Sequence, residues 1–184
     1  MIITKEIHAH AGHCVTSQID SKGNPGKCAQ GLHGHSYRII ASVDGNVIAD
    51  DRPSGGMVID FGDLKKAMED TIYEEADHAS YLWKEDPAVE AFIAFGNSPG
   101  KNPLKHHVVD FVPTAENLAK HWAELLITEL RKYNIKLYQL EVFETPTSSA
   151  IYTVFDPVID PLRELYRNEH EMMEKRHAAE RGLA

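Results

Sequence analysis

His33-Gly34-His35-Ser36-Tyr37-Arg38-Ile39-Ile40-Ala41-Ser42-Val43 is the stretch from which the fold is read. Tyr37, Ile39, Ala41 and Val43 alternate with Ser36, Arg38, Ile40 and Ser42, the period of two that marks a half-buried strand paired antiparallel. Side chains of an extended strand point alternately to opposite faces, so His33 and His35 project on one side with only Gly34 between them on the other. Upstream, Cys28 and His13 supply a thiol and a third imidazole. Three neutral imidazoles with an open fourth position suit a catalytic zinc ion, provided the strand carrying His13 lies beside this one. Nickel, iron and copper also accept imidazole, and a set of solvent-facing or internally satisfied histidines is the competing reading.

Outward from this strand, Met1 to about Gly12 reads as a second strand, joined to it by a polar loop from Thr16 to Gly31 with the turn former Gly23-Asn24-Pro25-Gly26. A first helix is expected from Phe61 to about Glu75, opened by Asp60 and Asp63 and striped with Leu64, Met68 and Ile72. A second begins at Thr114, a capping hydroxyl, and carries Leu118, Trp122, Leu125, Leu126 and Leu130 to about Arg131. Leu137 to Thr145 and Ser149 to Phe155 read as a strand pair. In the first of these, Tyr138, Leu140, Val142 and Glu144 share a face, so a carboxylate ends an apolar side and must meet solvent, a cation or a hydrogen-bonding ligand. Between the helices, Trp83 to Val112 is broken by Gly96, Pro99, Gly100 and Pro103, which predicts a loop with one short helix. Asp160-Pro161 starts a final helical pattern through Leu162, Leu165 and Tyr166.

The 184 residues fit one domain, placed at 1–156, with a helical extension over 157–184. An apolar fraction of 42% and a charged fraction of 26% are those of a globular protein, and no apolar run is long enough to span a bilayer. The N-terminal residues lack a signal-peptide pattern, so a cytoplasmic location is the default expectation. A formal net charge of -9 argues against broad nucleic-acid binding through phosphates, although a cleft with local cations can still take a small anion. Cys14 and Cys28 are too few for a disulfide framework, and a thiol among histidines reads more readily as reactive or ligating.

Taken in order, Ala11-Gly12-His13, Cys28 followed by His33-Gly34-His35, Gly56-Met57-Val58-Ile59-Asp60-Phe61, Asp77-His78, Pro113-Thr114-Ala115-Glu116-Asn117 and Glu144-Thr145 resemble the 6-pyruvoyltetrahydropterin synthase and 6-carboxy-5,6,7,8-tetrahydropterin synthase family. The resemblance covers about residues 1 to 155. It implies an α+β tunnelling fold: a four-stranded antiparallel sheet with two helices between its second and third strands, here followed by the C-terminal helix. It also implies a homo-oligomer, a hexamer of two trimeric rings, with substrate sites at subunit interfaces.

The zinc ligands of the family map to His13, His33 and His35, and its catalytic thiol, aspartate and histidine to Cys28, Asp77 and His78. The pterin-anchoring carboxylate maps to Glu144, with Glu116, Thr114 and Thr145 as further substrate-binding candidates. A carboxylate accepts two parallel hydrogen bonds from an aminopyrimidinone edge, and zinc can orient and polarise side-chain oxygens. The implied substrate is 7,8-dihydroneopterin triphosphate, with Cys28 taking the C1' proton and Asp77–His78 managing that at C2'. Of the family's activities, formation of 6-carboxytetrahydropterin with loss of triphosphate and acetaldehyde, on the route to queuosine or another 7-deazaguanine, is favoured. The alternatives are the pyruvoyl-forming synthase, an aldolase-like activity on dihydroneopterin, and a zinc-stabilised binding or assembly subunit without catalysis.

The chain departs from the family pattern at several points. Four residues separate Cys28 from His33, where the carboxy-forming enzymes usually have three and the animal pyruvoyl-forming enzymes five. Ala9 and Gly12 replace an aromatic residue and an alanine ahead of the zinc strand. The long Trp83 to Val112 segment offers Lys101, Lys105, His106 and His107, either as groups receiving the triphosphate or, the more ordinary reading, as part of a solvated loop.

Overall fold

The computed structural model describes residues 1–97 and 104–154. Strands β1 (Ile2–His13) and β2 (His33–Asp44) pair antiparallel along their whole length, in a register that sets Ile7 opposite Ile39 and His13 opposite His33. The alternation read from the sequence decides their faces: Ile7, Ala9 and Ala11 join Tyr37, Ile39, Ala41 and Val43 in the core. The other face is polar, with the Glu6 carboxylate accepting from Arg38 at 3.2 Å. Strand β5 (Lys136–Thr145) extends the sheet beyond β2, and β6 (Ser148–Thr153) beyond β5, both antiparallel.

The expected sheet of four antiparallel strands is too small. Beyond β1 lie two more strands, β3 (Ala79–Trp83) and β4 (His106–Val109), both parallel, giving a six-stranded mixed sheet in the order β4-β3-β1-β2-β5-β6. Among the described residues three helical segments fall between β2 and β5, where two helices were expected. Helix α1 (Phe61–Met68) runs through a π-helical stretch (Glu69–Tyr73) into a last turn (Glu74–Ala76); α2 is Val89–Gly96 and α3 is Ala115–Leu130. The segment expected as a loop with one short helix does hold one, α2, but it also supplies β4 and forms a β3-α2-β4 crossover. Parallel neighbours require a connection of this length, and strands of five and four residues are too short to show an alternation. Gly96 is part of that construction, since a Cβ there would meet the His106 ring at 2.7 Å. Lys101 and the C-terminal helix expected over 157–184 lie outside the described residues.

Helix α3 starts at Thr114, whose hydroxyl accepts from the Asn117 amide at 3.4 Å, and stops where Asn134 turns left-handed at φ 54°. Its Leu118, Trp122, Leu126 and Leu130 are fully buried. Truncating Trp122 to alanine in such a core costs about 3–5 kcal/mol. In β5 a bulge changes the expected face: Ser42 pairs with Gln139 and Val43 with Leu137, leaving Tyr138 as the extra residue. Leu137, Leu140 and Val142 are consequently buried while Tyr138 is exposed. Among the described residues no helix is long and apolar enough to cross a membrane.

Candidate functional site

Strand register brings the three imidazoles together. His13 and His33 face each other across β1 and β2, and His35 follows two residues on, on the same inner face, diagonal to His13. Their ring centroids lie 4.6, 5.0 and 4.9 Å apart, and one ligand atom from each falls within 4.8 Å of the others. His13 is 1% exposed.

The hydrogen bonds around the triad assign its tautomers. The Nδ1 of His13 donates to the Pro113 carbonyl at 2.6 Å, and the Nδ1 of His33 donates to that of Gly31 at 3.0 Å. In neutral rings both Nε2 atoms then carry lone pairs, yet they stand 3.1 Å apart. Nε2 of His35 is buried and has no hydrogen-bond partner. A Glu144 carboxylate oxygen approaches within 3.5 Å of His13 Nε2 and 3.8 Å of His35 Nε2. Electron pairs converging in this way repel unless a cation shares them. The 3.1 Å spacing is close to the roughly 3.3 Å between nitrogens bound to a tetrahedral ion at roughly 2.0–2.1 Å. Burial pushes the His13 and His35 imidazoles below their ordinary value, outweighing the opposing pull of the Glu144 carboxylate. That favours the neutral, ligating form. The residues therefore fit a divalent metal ion.

Next to the triad is a cleft of about 420 Å³ lined by Cys28, Thr114, Glu116 and Glu144, together with Gln18 and Ser149. Cys28 sits on a single 3-10 turn (Lys27–Ala29) rather than a strand. Its amide donates to the Gln18 side chain at 2.9 Å, and its carbonyl accepts from Val15 at 2.9 Å. Cys14, behind it, is buried, and that burial raises its thiol above the ordinary value. Thr145 is not among the residues lining this cleft; its hydroxyl faces the Thr147 amide at the β5–β6 turn.

Asp77 and His78 are elsewhere. They follow the last turn of the first helical segment and lie beside His10, which stands on the outer face of β1, opposite in direction to His13. Asp77 accepts from the His10 amide at 2.9 Å and from His78 Nδ1 at 2.6 Å. Partial burial opposes ionisation of this carboxyl, but the bonds from the His10 backbone and the His78, Tyr73 and His10 side chains prevail and lower it to about 2. His78 is held at φ 58°, in the left-handed region that few residues other than glycine, asparagine, aspartate and histidine enter, and is 83% exposed. A second cleft of about 430 Å³ is lined by His10, Gly12, Gly34, His35, Ser36 and His78. Within one chain, then, Cys28 and His78 line separate clefts.

His10 and Gln18 were missed in the sequence. The even-numbered pair His8 and His10, out of phase with His13, was the available signal for the first. Nothing marks Gln18, because its contact is made by loop closure.

An α+β fold with a curled mixed sheet carries a three-imidazole cluster able to coordinate a divalent metal ion, beside a thiol- and carboxylate-lined cleft. Residues 2–154 match the sequence pattern of 6-pyruvoyl tetrahydropterin synthase, and the chain belongs to that family. It is 31% identical over 163 residues to the 6-carboxy-5,6,7,8-tetrahydropterin synthase of Aquifex aeolicus, covering 82% of this chain and 96% of that one. It is also 30% identical over 129 residues to the 6-pyruvoyl tetrahydrobiopterin synthase of Homo sapiens, covering 69% and 70% respectively. Among solved structures, an uncharacterized protein from Wolinella succinogenes superposes with a TM-score of 0.68 at 25% identity, over 84% of this chain and 98% of that one. The 6-pyruvoyl tetrahydropterin synthase of Caenorhabditis elegans superposes with a TM-score of 0.57 at 25% identity, over 84% and 96%.

Proposed function

We propose that this protein is a zinc-dependent lyase that converts 7,8-dihydroneopterin triphosphate to 6-carboxy-5,6,7,8-tetrahydropterin, releasing triphosphate and acetaldehyde. The observation that carries the reading is the convergence of three imidazole nitrogens at a cleft holding a thiol and two carboxylates. The carboxy-forming relatives, matched at 31% and 33% identity over most of their length, favour that product. The relative from Homo sapiens, at 30%, keeps the pyruvoyl-forming reaction as the alternative.

In this reading His13, His33 and His35 hold the metal through Nε2. Zinc there would supply Lewis acidity toward the side-chain oxygens of the substrate. Glu144 accepts two hydrogen bonds from the aminopyrimidinone edge, with Glu116 and Thr114 on the same wall and Thr145 following Glu144. Cys28 removes the C1' proton as thiolate. Asp77 holds Nδ1–H of His78, leaving Nε2 to exchange the proton at C2'. Since the pair stands at the other cleft of its own chain, it serves the Cys28 cleft of a neighbouring subunit, so the protein works as a homo-oligomer with interfacial sites, a hexamer in the family arrangement.

Incubating the zinc-loaded protein with 7,8-dihydroneopterin triphosphate and identifying products by mass tests the assignment. Acetaldehyde with 6-carboxytetrahydropterin supports it. Triphosphate release with a pyruvoyl product moves the protein to the other activity, and no change in the substrate refutes the enzymatic reading.

A further inference from the structure

We propose that Lys105 and His107, supplied by the β3-α2-β4 crossover, are positioning residues that lock the Asp77–His78 pair in place. This rests on the reading of that pair as the acid–base couple.

The helical segment before the pair ends with carbonyls that have no partner along the helix and carry its partial negative charge. Two side chains from β4 and its approach meet them. The Lys105 ammonium donates to the Glu74 carbonyl and, at 3.0 Å, to that of Asp77. His107 Nε2 donates to the Glu75 carbonyl at 3.0 Å, with its ring against that of Tyr81 at 5.2 Å. A cation hydrogen-bonded to the last carbonyls of a helix is the favourable end arrangement.

The contacts bracket the strained residue. Lys105 grips the carbonyl before His78 with its side chain, while its own carbonyl accepts from the Ser80 amide at 2.9 Å. Between them, the His78 amide donates to the His10 carbonyl at 2.7 Å. A left-handed histidine persists only where its surroundings over-determine it. Here the surroundings are β1 on one side and Lys105 on the other. The pairing of Ser80 with His106 and Tyr81 with His107 fixes Lys105 relative to the turn.

The test uses the zinc-loaded oligomer with selectively ¹³C-labelled histidine. Lys105→Met keeps most of the side-chain volume and removes the donors. We expect kcat on 7,8-dihydroneopterin triphosphate to fall on the order of 10- to 100-fold with KM changed less than about twofold, because the chemistry and not ground-state binding is misaligned. The His78 ring resonances should move in parallel, with both effects largely reversed in Lys105→Arg. Should Lys105→Met fail to fold, Lys105→Leu, which also lacks a donor, is read in the same way. Unmoved His78 resonances overturn the proposal, and so does an unchanged kcat alongside an inactive His78→Ala control. A fully active His78→Ala instead removes the acid–base reading, and the resonances alone then decide whether Lys105 fixes the turn.

Discussion

His10 and His13 lie three residues apart on one strand, and the sites they serve are held by different physics. The His13–His33–His35 triad is a product of register: paired strands set the rings face to face, burial favours the neutral form of His13 and His35, and backbone carbonyls choose the tautomers of His13 and His33. The cluster of Asp77, His78 and His10 is built at a chain turn, outside the core, by directed hydrogen bonds. There the carboxylate is kept charged, whereas in the triad burial favours the uncharged form of His13 and His35. A metal site needs lone pairs free of protons, and a proton relay needs a fixed negative charge behind an exposed ring. On the proposed reading, the two environments supply these opposite requirements, on opposite faces of β1.

The largest expected effect tests whether the two regions meet only between subunits. Cys28→Ala and His78→Ala should each lower kcat by about 10²- to 10⁴-fold, the usual worth of a positioned acid or base. Dissociating and reassembling an equimolar mixture should restore roughly a quarter of the full activity, because random assembly leaves that share of interfacial sites with both groups intact. If the mixture is no more active than its components, each chain completes its own site and the interfacial reading fails. Next in size is loss of a ligand from the register-built site. His35→Ala should lower zinc affinity by at least about 100-fold, measured by metal competition, while His10→Ala leaves it within about twofold.

A smaller effect concerns the hydrogen-bond-built side. The Asp77 carboxyl is lowered from 3.8 to about 2 on folding, so its contribution to stability is complete above pH 3.8 and is lost as pH falls toward 2. Asp77→Asn should cost about 2 kcal/mol at neutral pH, the usual worth of hydrogen bonds to a charged group. It should also flatten the fall in Tm between pH 4 and 2. A Tm profile in that window identical to that of the unsubstituted protein would show that the carboxylate contributes nothing to folding.

How much could be read in advance follows the same division. The strand carrying His33 and His35 announces its faces by alternation, so its pairing, its buried side and the convergence of the triad were all legible. Thr114 and Asp60 likewise cap the helices the sequence marks, each accepting from an amide of its first turn. What was hidden depends on contacts distant in the chain or on very short elements. β3 and β4 are too brief to display a period, and the β5 bulge that exposes Tyr138 leaves no residue-level signature. The ordered motifs place Asp77–His78, but only the direction of His10 on β1 shows that the pair faces away from the triad.

The smallest effect separates the thiol from the imidazoles beside it. Cys28 lines the same cleft as Glu144, yet it belongs to the loop between β1 and β2 and gains nothing from strand register. Three contacts hold its backbone: its carbonyl accepts from the Val15 amide and, at 3.8 Å, from the Cys14 thiol, and its amide donates to Gln18. Gln18 is exposed, so losing its acceptor should cost only about 0.5 kcal/mol, or about 1–2 °C in Tm. The thiol's aim should suffer more than the fold: Gln18→Ala is expected to lower kcat about two- to fivefold with zinc content unchanged, and Gln18→Glu, which keeps an acceptor, to recover it. Unchanged kcat in Gln18→Ala would mean that the bonds to the Cys28 carbonyl alone place the thiol, leaving Cys28 nearly as firmly set by its neighbouring strand end as the triad is by its register.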